Sequence, residues 1–228
     1  MTAVEETLLD RGPLPLAIKI LEGYEDTWGE AKYDIEGCQP LVNRLQELLS
    51  PESSRIIDLG SGIGEVSLAL AKAGYNVTAV DGTKTAIARL TEMADRMGLN
   101  VDARTGDVRT ALQEGASYDG LVNMFLMHHL LNSDALELQK QMRDKTTPGG
   151  VNVFAVYGQD GYFYRNNPDT DDFFPSSIEQ LLQPYVGEGW AVLNQGQAVV
   201  PIPGSEAIGE EATNQVLRCM VQKPISNS

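Results

Sequence analysis

The segment Ile56-Ile57-Asp58-Leu59-Gly60-Ser61-Gly62-Ile63-Gly64 constrains this chain more than any other. An apolar, strand-forming run closes on Asp58. Three glycines follow at alternate positions, and Glu65 opens a stretch with helical spacing to Ala73, stopped by Gly74. A strand that turns into a helix through glycines sets backbone groups, unobstructed by Cβ atoms, against a ligand beside a helix N-terminus. A nucleoside cofactor fits such a turn. The dinucleotide fingerprint, counted from Gly60 and Gly62, calls for Gly or Ala three positions later. Glu65 stands there, and its carboxylate would repel a pyrophosphate. It does no harm beside a sulfonium and an ammonium, so the turn favours S-adenosylmethionine and leaves NAD open.

The rest of the chain alternates strands and helices. A helix over Pro40 to Leu49, stopped by Ser50-Pro51, leads into the first strand, Arg55 to Leu59. Strands follow at Asn76 to Val80, Val101 to Thr105, Tyr118 to Phe125 and Val151 to Tyr157. Helices lie between them at Glu65 to Ala73, Thr85 to Met97 and Ser133 to Lys145. Such alternation implies a parallel sheet covered on both faces. Trp190 to Val200 and Asn214 to Gln222 read as two strands without an intervening helix, joined through Pro201, Pro203 and Gly204, so the last pair should be antiparallel. The expected fold is α/β, a doubly wound, Rossmann-like, mostly parallel seven-stranded sheet with an antiparallel last strand pair. Residues 1–39 form an arm packed on a single domain, 40–228. Tyr157 to Pro175 is too long for a plain connector and follows a strand end, which marks it as a lid. Ser176 with Glu179 is a capping-box pattern opening a further helix.

The 228 residues are enough for one sizeable core. Thirty-two acids against 17 bases give a net charge of −15, which repels phosphate backbones and anionic lipid. Nucleic acid and membranes are therefore disfavoured as partners, although acidity is also a common solubility device. A small-molecule substrate, a monomer or homodimer and a cytoplasmic location are the expectations, since no run reaches membrane-spanning length and the N-terminus carries acids where a leader would be basic. Cys38 and Cys219 offer neither a disulfide framework nor a spaced metal cluster. No metal is expected.

Asp81 ends the second strand about 20 residues beyond the first glycine, where a carboxylate accepts ribose hydroxyls, as it also does in NAD enzymes. Asp107 follows Gly106 after the third strand, within reach of an adenine amino group. Thr146-Thr147-Pro148-Gly149-Gly150 turns into the fifth strand. Together with Asp58-x-Gly-x-Gly, this resembles the class I methyltransferase pattern over about residues 40 to 222. Within that superfamily, the runs Ala73 to Asp81, Asn123 to Met127 and Phe173-Phe174 are most similar to the tellurite-resistance methyltransferases and their thiopurine-methylating relatives. The longer arm and the lid sequence depart from that group. The resemblance implies that Asp58, Gly60, Ser61 and Gly62 hold the methionine end of S-adenosylmethionine. It places Asp81 on the ribose, Gly82, Asp107 and Val108 along the adenine, and Asn123 beside the transferred methyl.

Methyl transfer leaves S-adenosylhomocysteine and is an in-line displacement at an activated carbon, so positioning and exclusion of water can supply much of the catalysis. A thiol or chalcogen oxyanion needs no base, whereas an alcohol or phenol does. His128 and Tyr157 are the candidate catalytic residues. The alternative for His128 and His129 is that they pack the start of the next helix. Trp28, Tyr33, Phe173 and Phe174, with Tyr162, Phe163 and Tyr164, could wall an acceptor pocket, with Arg165 as an anion contact. Two other functions remain open: a non-catalytic cofactor-binding regulator or partner subunit, and an NAD-linked oxidoreductase.

Overall fold

The computed structural model describes residues 32–112, 117–166, 171–201 and 212–225. Most of the expected arm, Trp28 included, the middle of the lid and the Pro203-Gly204 loop lie outside the described residues.

Strands β1 (Arg55–Leu59), β2 (Asn76–Asp81), β3 (Val101–Thr105), β4 (Tyr118–Met124), β5 (Thr146–Tyr157), β6 (Ala191–Pro201) and β7 (Thr213–Gln222) form one sheet in the order β3-β2-β1-β4-β5-β7-β6. The first five run parallel. β7 enters between β5 and β6 and runs antiparallel to both. Helices α1 (Gln39–Gln46), α2 (Glu65–Lys72), α3 (Lys84–Met97), α4 (Asn132–Lys145), the single turn α5 (Tyr162–Arg165) and α6 (Ile178–Val186) complete the chain. The expected doubly wound fold is the one observed.

The central strands are buried on both faces because neighbouring residues point to opposite sides, whereas the edge strands β3 and β6 are largely exposed. Ile57, Leu121, Phe154 and Leu217 enter a core shared with Leu138 and Met142 of α4 and Leu181 and Tyr185 of α6. Ile56, Val122 and Val153 face the other way, toward Val42 and Leu45 of α1 and Leu70 of α2. α3 packs beside them through Ile87 and Leu90 against Leu68 and Ala79.

Two local expectations are corrected. β5 begins at Thr146 rather than Val151: Tyr118 pairs with Thr146 and Gly120 with Val151, so the Pro148-Gly149-Gly150 turn bulges out within the strand. Thr147 Oγ1 donates to Asp119 Oδ1 (2.8 Å) and Gly149 N to Lys223 O (3.1 Å), which hold that bulge. The cap of α6 is Ser177, whose hydroxyl accepts from Gln180 N, with Gln180 Oε1 accepting from Ser176 N; Ser176 and Glu179 do not form the box. The spacing belongs one residue later, where an amide serves in place of the acid.

Candidate functional site

The β1–α2 turn lies at the C-terminal edge of the parallel strands, where α/β sheets bind ligands. Gly60, Gly62 and Gly64 all have left-handed φ, +72°, +53° and +85°. A Cβ on Gly60 would lie 2.9 Å from Leu126 Cβ, and one on Gly64 would lie 2.2 Å from Leu90 Cδ1. Gly60 and Gly64 are therefore required twice, by backbone conformation and by the packing of β4's exit and α3 onto the turn, and Gly62 by its conformation. Gly60 N and Ser61 N both donate to Val80 O, at 2.8 and 3.1 Å. Asp81 completes the tie: Oδ2 accepts from Gly62 N and Oδ1 from Thr83 N, each at 2.8 Å. Each oxygen keeps a second lone pair for a further donor. Gly82, beside it, is exposed.

Asp58 is turned away from the turn's open side, onto α2. It is 2 % exposed, and Oδ2 accepts the Ser67 hydroxyl at 2.6 Å. Burial pushes its carboxyl up to about 6, the Ser67 contacts oppose that, and the nearby Asp81 carboxylate adds to it. Glu65 is likewise engaged, accepting from the Asp34 backbone N–H, so the end of the arm is laced across the start of α2. Asp107 is clamped by Arg109, whose Nη2 lies 2.6 Å from Oδ2 and whose Nη1 reaches Asp134 at 3.0 Å. That ion pair occupies acceptor capacity that the sequence assigned to an adenine amino group. Val108 is buried in the main core.

At the exit of β4, Asn123 is fully buried and neither its Oδ1 nor its Nδ2 has a hydrogen-bond partner; Ser61 Oγ is in the same position. Buried unsatisfied polar atoms are costly and call for an explanation such as a ligand. Two residues on, Phe125 has φ +60°, the one non-glycine with positive φ among the described residues. Such a conformation costs about 1–3 kcal/mol and clusters at functional sites. Phe125 N donates to Ala155 O at 2.7 Å, and the bend lays Leu126 over Gly60.

His128 does not suit the role of base. Its Nδ1 accepts from Tyr157 N at 3.4 Å, which leaves the proton on Nε2, and Nε2 is buried without a partner. Burial, and then the neighbouring His129, hold it far below the ordinary imidazole range, so it is a neutral hydrogen-bond donor. The rings of His128 and Tyr157 are 4.3 Å apart, and Phe125 and Phe163 each lie 5.3 Å from Tyr157. Burial raises the Tyr157 phenol while the Asn214 side chain opposes the rise, so the phenol keeps its proton at neutral pH.

The acceptor-wall candidates divide. Phe174 joins the cluster, 6.0 Å from the His128 ring. Phe173 belongs to the core with Leu181 and Leu182, a correction that follows from the pairing of Phe173 N with Leu130 O, which turns its side chain inward. Tyr33 is likewise corrected: its hydroxyl donates to Arg89 O at 2.9 Å and its ring stacks on the Arg89 guanidinium, which seats Tyr33 on α3. Arg165 is exposed and donates Nη2 to Asp160 O at 2.6 Å, closing its own loop. Sequence reasoning missed Leu126, Asn214 and Gln215. The last two are buried at the start of β7 and hold the segment that follows β5, Asn214 Oδ1 accepting from Phe163 N and Gln215 Oε1 from Asp160 N. Two successive buried amides at a strand start were the available signal.

A seven-stranded sheet with a reversed seventh strand, carrying a glycine turn tied to an acid at the end of β2, defines the class I methyltransferase fold. Residues 56–150 match the methyltransferase domain family model, so this segment is an S-adenosylmethionine-dependent methyltransferase domain. It is 31% identical over 126 residues to the probable S-adenosyl-L-methionine-dependent methyltransferase TehB of Haemophilus influenzae, covering 55% of this chain and 43% of that protein. It is 32% identical over 106 residues to a ubiquinone biosynthesis O-methyltransferase of Maricaulis maris, covering 46% of this chain and 41% of the relative. The chain thus spans less than half the length of either. The crystal structure of TehB from Haemophilus influenzae superposes with a TM-score of 0.66 at 22% identity, over 81% of this chain and 62% of that one. S-adenosylmethionine is the cofactor that the matched domain implies. Among the described residues no helix is long and apolar enough to cross a membrane.

Proposed function

We propose that the chain transfers a methyl group from S-adenosylmethionine to a small molecule held at the C-terminal edge of β4 and β5. The observation that carries this reading is the pair of orphaned buried groups, Asn123 and Ser61 Oγ, flanking the glycine turn. A methionine end bearing an ammonium and a carboxylate would satisfy both. Asp81, with a lone pair left on each oxygen, would accept the ribose hydroxyls, and Gly60 and Gly62 leave the approach open. Gly82 and Val108 would flank the adenine, with Asp107 reaching it only through the lone pairs that Arg109 leaves. Asp58 serves this site from behind, fixing the turn through Ser67.

When bound, S-adenosylmethionine would supply a methyl carbon made electrophilic by its sulfonium, open to displacement by an acceptor's electron pair with S-adenosylhomocysteine as the leaving group. The chain's own contribution is positioning. His128, a neutral imidazole with its proton on Nε2, and Tyr157, which keeps its phenolic proton, lie together, so they donate hydrogen bonds and exclude water rather than take a proton. An acceptor that reaches the site already deprotonated, such as a thiolate, suits such a site, and its proton goes to solvent. Monomer and homodimer both accommodate this arrangement.

Calorimetric titration of S-adenosylhomocysteine tests the assignment. Asp81→Ala should weaken binding at least tenfold, by removing both the ribose acceptor and the tie to Gly62. Unchanged affinity would sink the site. Stronger binding of NAD than of S-adenosylhomocysteine would sink the cofactor.

A further inference from the structure

The two edges of the sheet are protected differently. β3 is five residues long and carries an exposed ion pair between Asp102 and Arg104. Shortness and charge are ordinary means of keeping an edge strand from pairing with another chain. β6 has neither. Its eleven residues, Ala191–Pro201, hold no charged side chain although the chain carries a net charge of −15, and only Pro201, at its end, blunts it. Among the described residues its outer side pairs with no strand, because β7 lies on the inner side alone. Val199 is 67% and Val192 39% exposed. The irregularity of its register falls between Val192 and Asn194, so residues 194–201 offer a regular line of backbone groups.

The strand also reads nearly the same in both directions. About Gly196, Gln195 mirrors Gln197, Leu193 mirrors Val199 and Val192 mirrors Val200. Gly196 itself lacks the positive φ that would call for glycine, and among the described residues a Cβ on it would meet nothing within 4 Å. Glycine inside a strand weakens it and often marks where another backbone comes close. We propose that β6 pairs antiparallel with β6 of a second copy, about a two-fold axis at Gly196, to form a homodimer with one continuous sheet. Isologous contact of this kind needs a self-complementary surface. The mirror order supplies it: Gln195 meets Gln197 of the second copy, while Leu193 and Val192 meet its Val199 and Val200. Charge favours a second copy here, because the strand is the stretch along which two acidic chains approach without opposing carboxylates. The one charged residue of β7, Arg218, stands opposite Gly196. Across the axis the two arginine Cα atoms are three strand spacings apart, about 14 Å, which exceeds the ~8 Å Debye length.

Sedimentation velocity of the full chain should show a monomer–dimer equilibrium between micromolar and near-millimolar concentration. Gln195→Glu with Gln197→Glu sets like charges opposite each other twice in each dimer and should weaken association about tenfold. Gln195→Lys with Gln197→Glu sets opposite charges there and should return association to the wild-type level or tighten it. Gly196→Cys, in a Cys38→Ser background, should give a disulfide-linked dimer on mild oxidation, since the facing Cα atoms at the axis lie about 4.5–5.5 Å apart. Val200→Cys in the same background should not, because its two copies stand about 27 Å apart along the strands. A chain of monomer mass at every concentration would overturn the proposal and leave the edge to another segment or partner. Equal association in the two charge variants, or equal cross-linking at positions 196 and 200, would overturn the pairing about Gly196.

Discussion

Replacing Asp58 with Asn should stabilise the protein at neutral pH, an unusual outcome for a residue in the signature turn. The carboxyl is buried and carried from the ordinary range near 4 up to about 6, with burial as the leading cause. Keeping it ionised at pH 7 costs ~3 kcal/mol. Asn retains an oxygen for the Ser67 hydroxyl but gives up charge assistance worth ~1 kcal/mol. The net gain for Asp58→Asn is therefore about 2 kcal/mol, or roughly 4–8 °C in Tm for a chain of this size. The sign of the pH dependence is distinctive. Between pH 4 and 6 the unfolded chain gives up this proton before the folded one does, so the wild type loses stability as pH rises through that window. The variant does not. Urea unfolding of both proteins at pH 4, 5, 6 and 7, followed by circular dichroism, should give curves that converge at the acid end and separate toward neutrality. An Asp58→Asn protein less stable than wild type at pH 7, or a difference that is constant from pH 4 to 7, would refute the reasoning.

Two further predictions concern the elements that position the site. Gly64→Ala should cost ~2–5 kcal/mol, since it combines a left-handed φ with overpacking against Leu90. Gly98→Ala, equally left-handed but with nothing within 4 Å, should cost only ~1–2 kcal/mol in the same urea titration, and equal losses would show that Leu90 yields. Ser177→Ala should lower stability by ~1 kcal/mol through loss of the α6 cap, and Ser176→Ala by less; the reverse order would return the cap to Ser176.

The sheet was legible in the sequence because periodicity reports burial. Runs such as Ile56 to Leu59 and Val151 to Val156 are buried on both faces, and their mostly apolar pattern suits strands packed on two sides. The glycine turn was legible because its backbone excludes other residues. Sequence did not disclose which polar side chains serve the protein itself. Asp107 carries the same residue type whether it meets an adenine or Arg109, and Tyr33 the same ring whether it lines a pocket or docks on α3. Phe173 and Phe174 are neighbours with opposite fates, decided by the pairing of Phe173 with Leu130, a contact 43 positions back along the chain. The bend at Phe125 had no sequence signal, since phenylalanine has no preference for positive φ.

The reversed β7 also orders assembly in time. It is the last strand of the sheet along the chain, yet it fills an interior place, so β5 and β6 each present an open edge until it arrives. Unpaired edges of that kind recruit other chains, which makes the interval before insertion the moment of greatest risk of aggregation. The two amides that hold the segment after β5, Asn214 and Gln215, ride on that same strand. The arrival of one strand therefore both closes the sheet and fixes the backbone at Asp160 and Phe163.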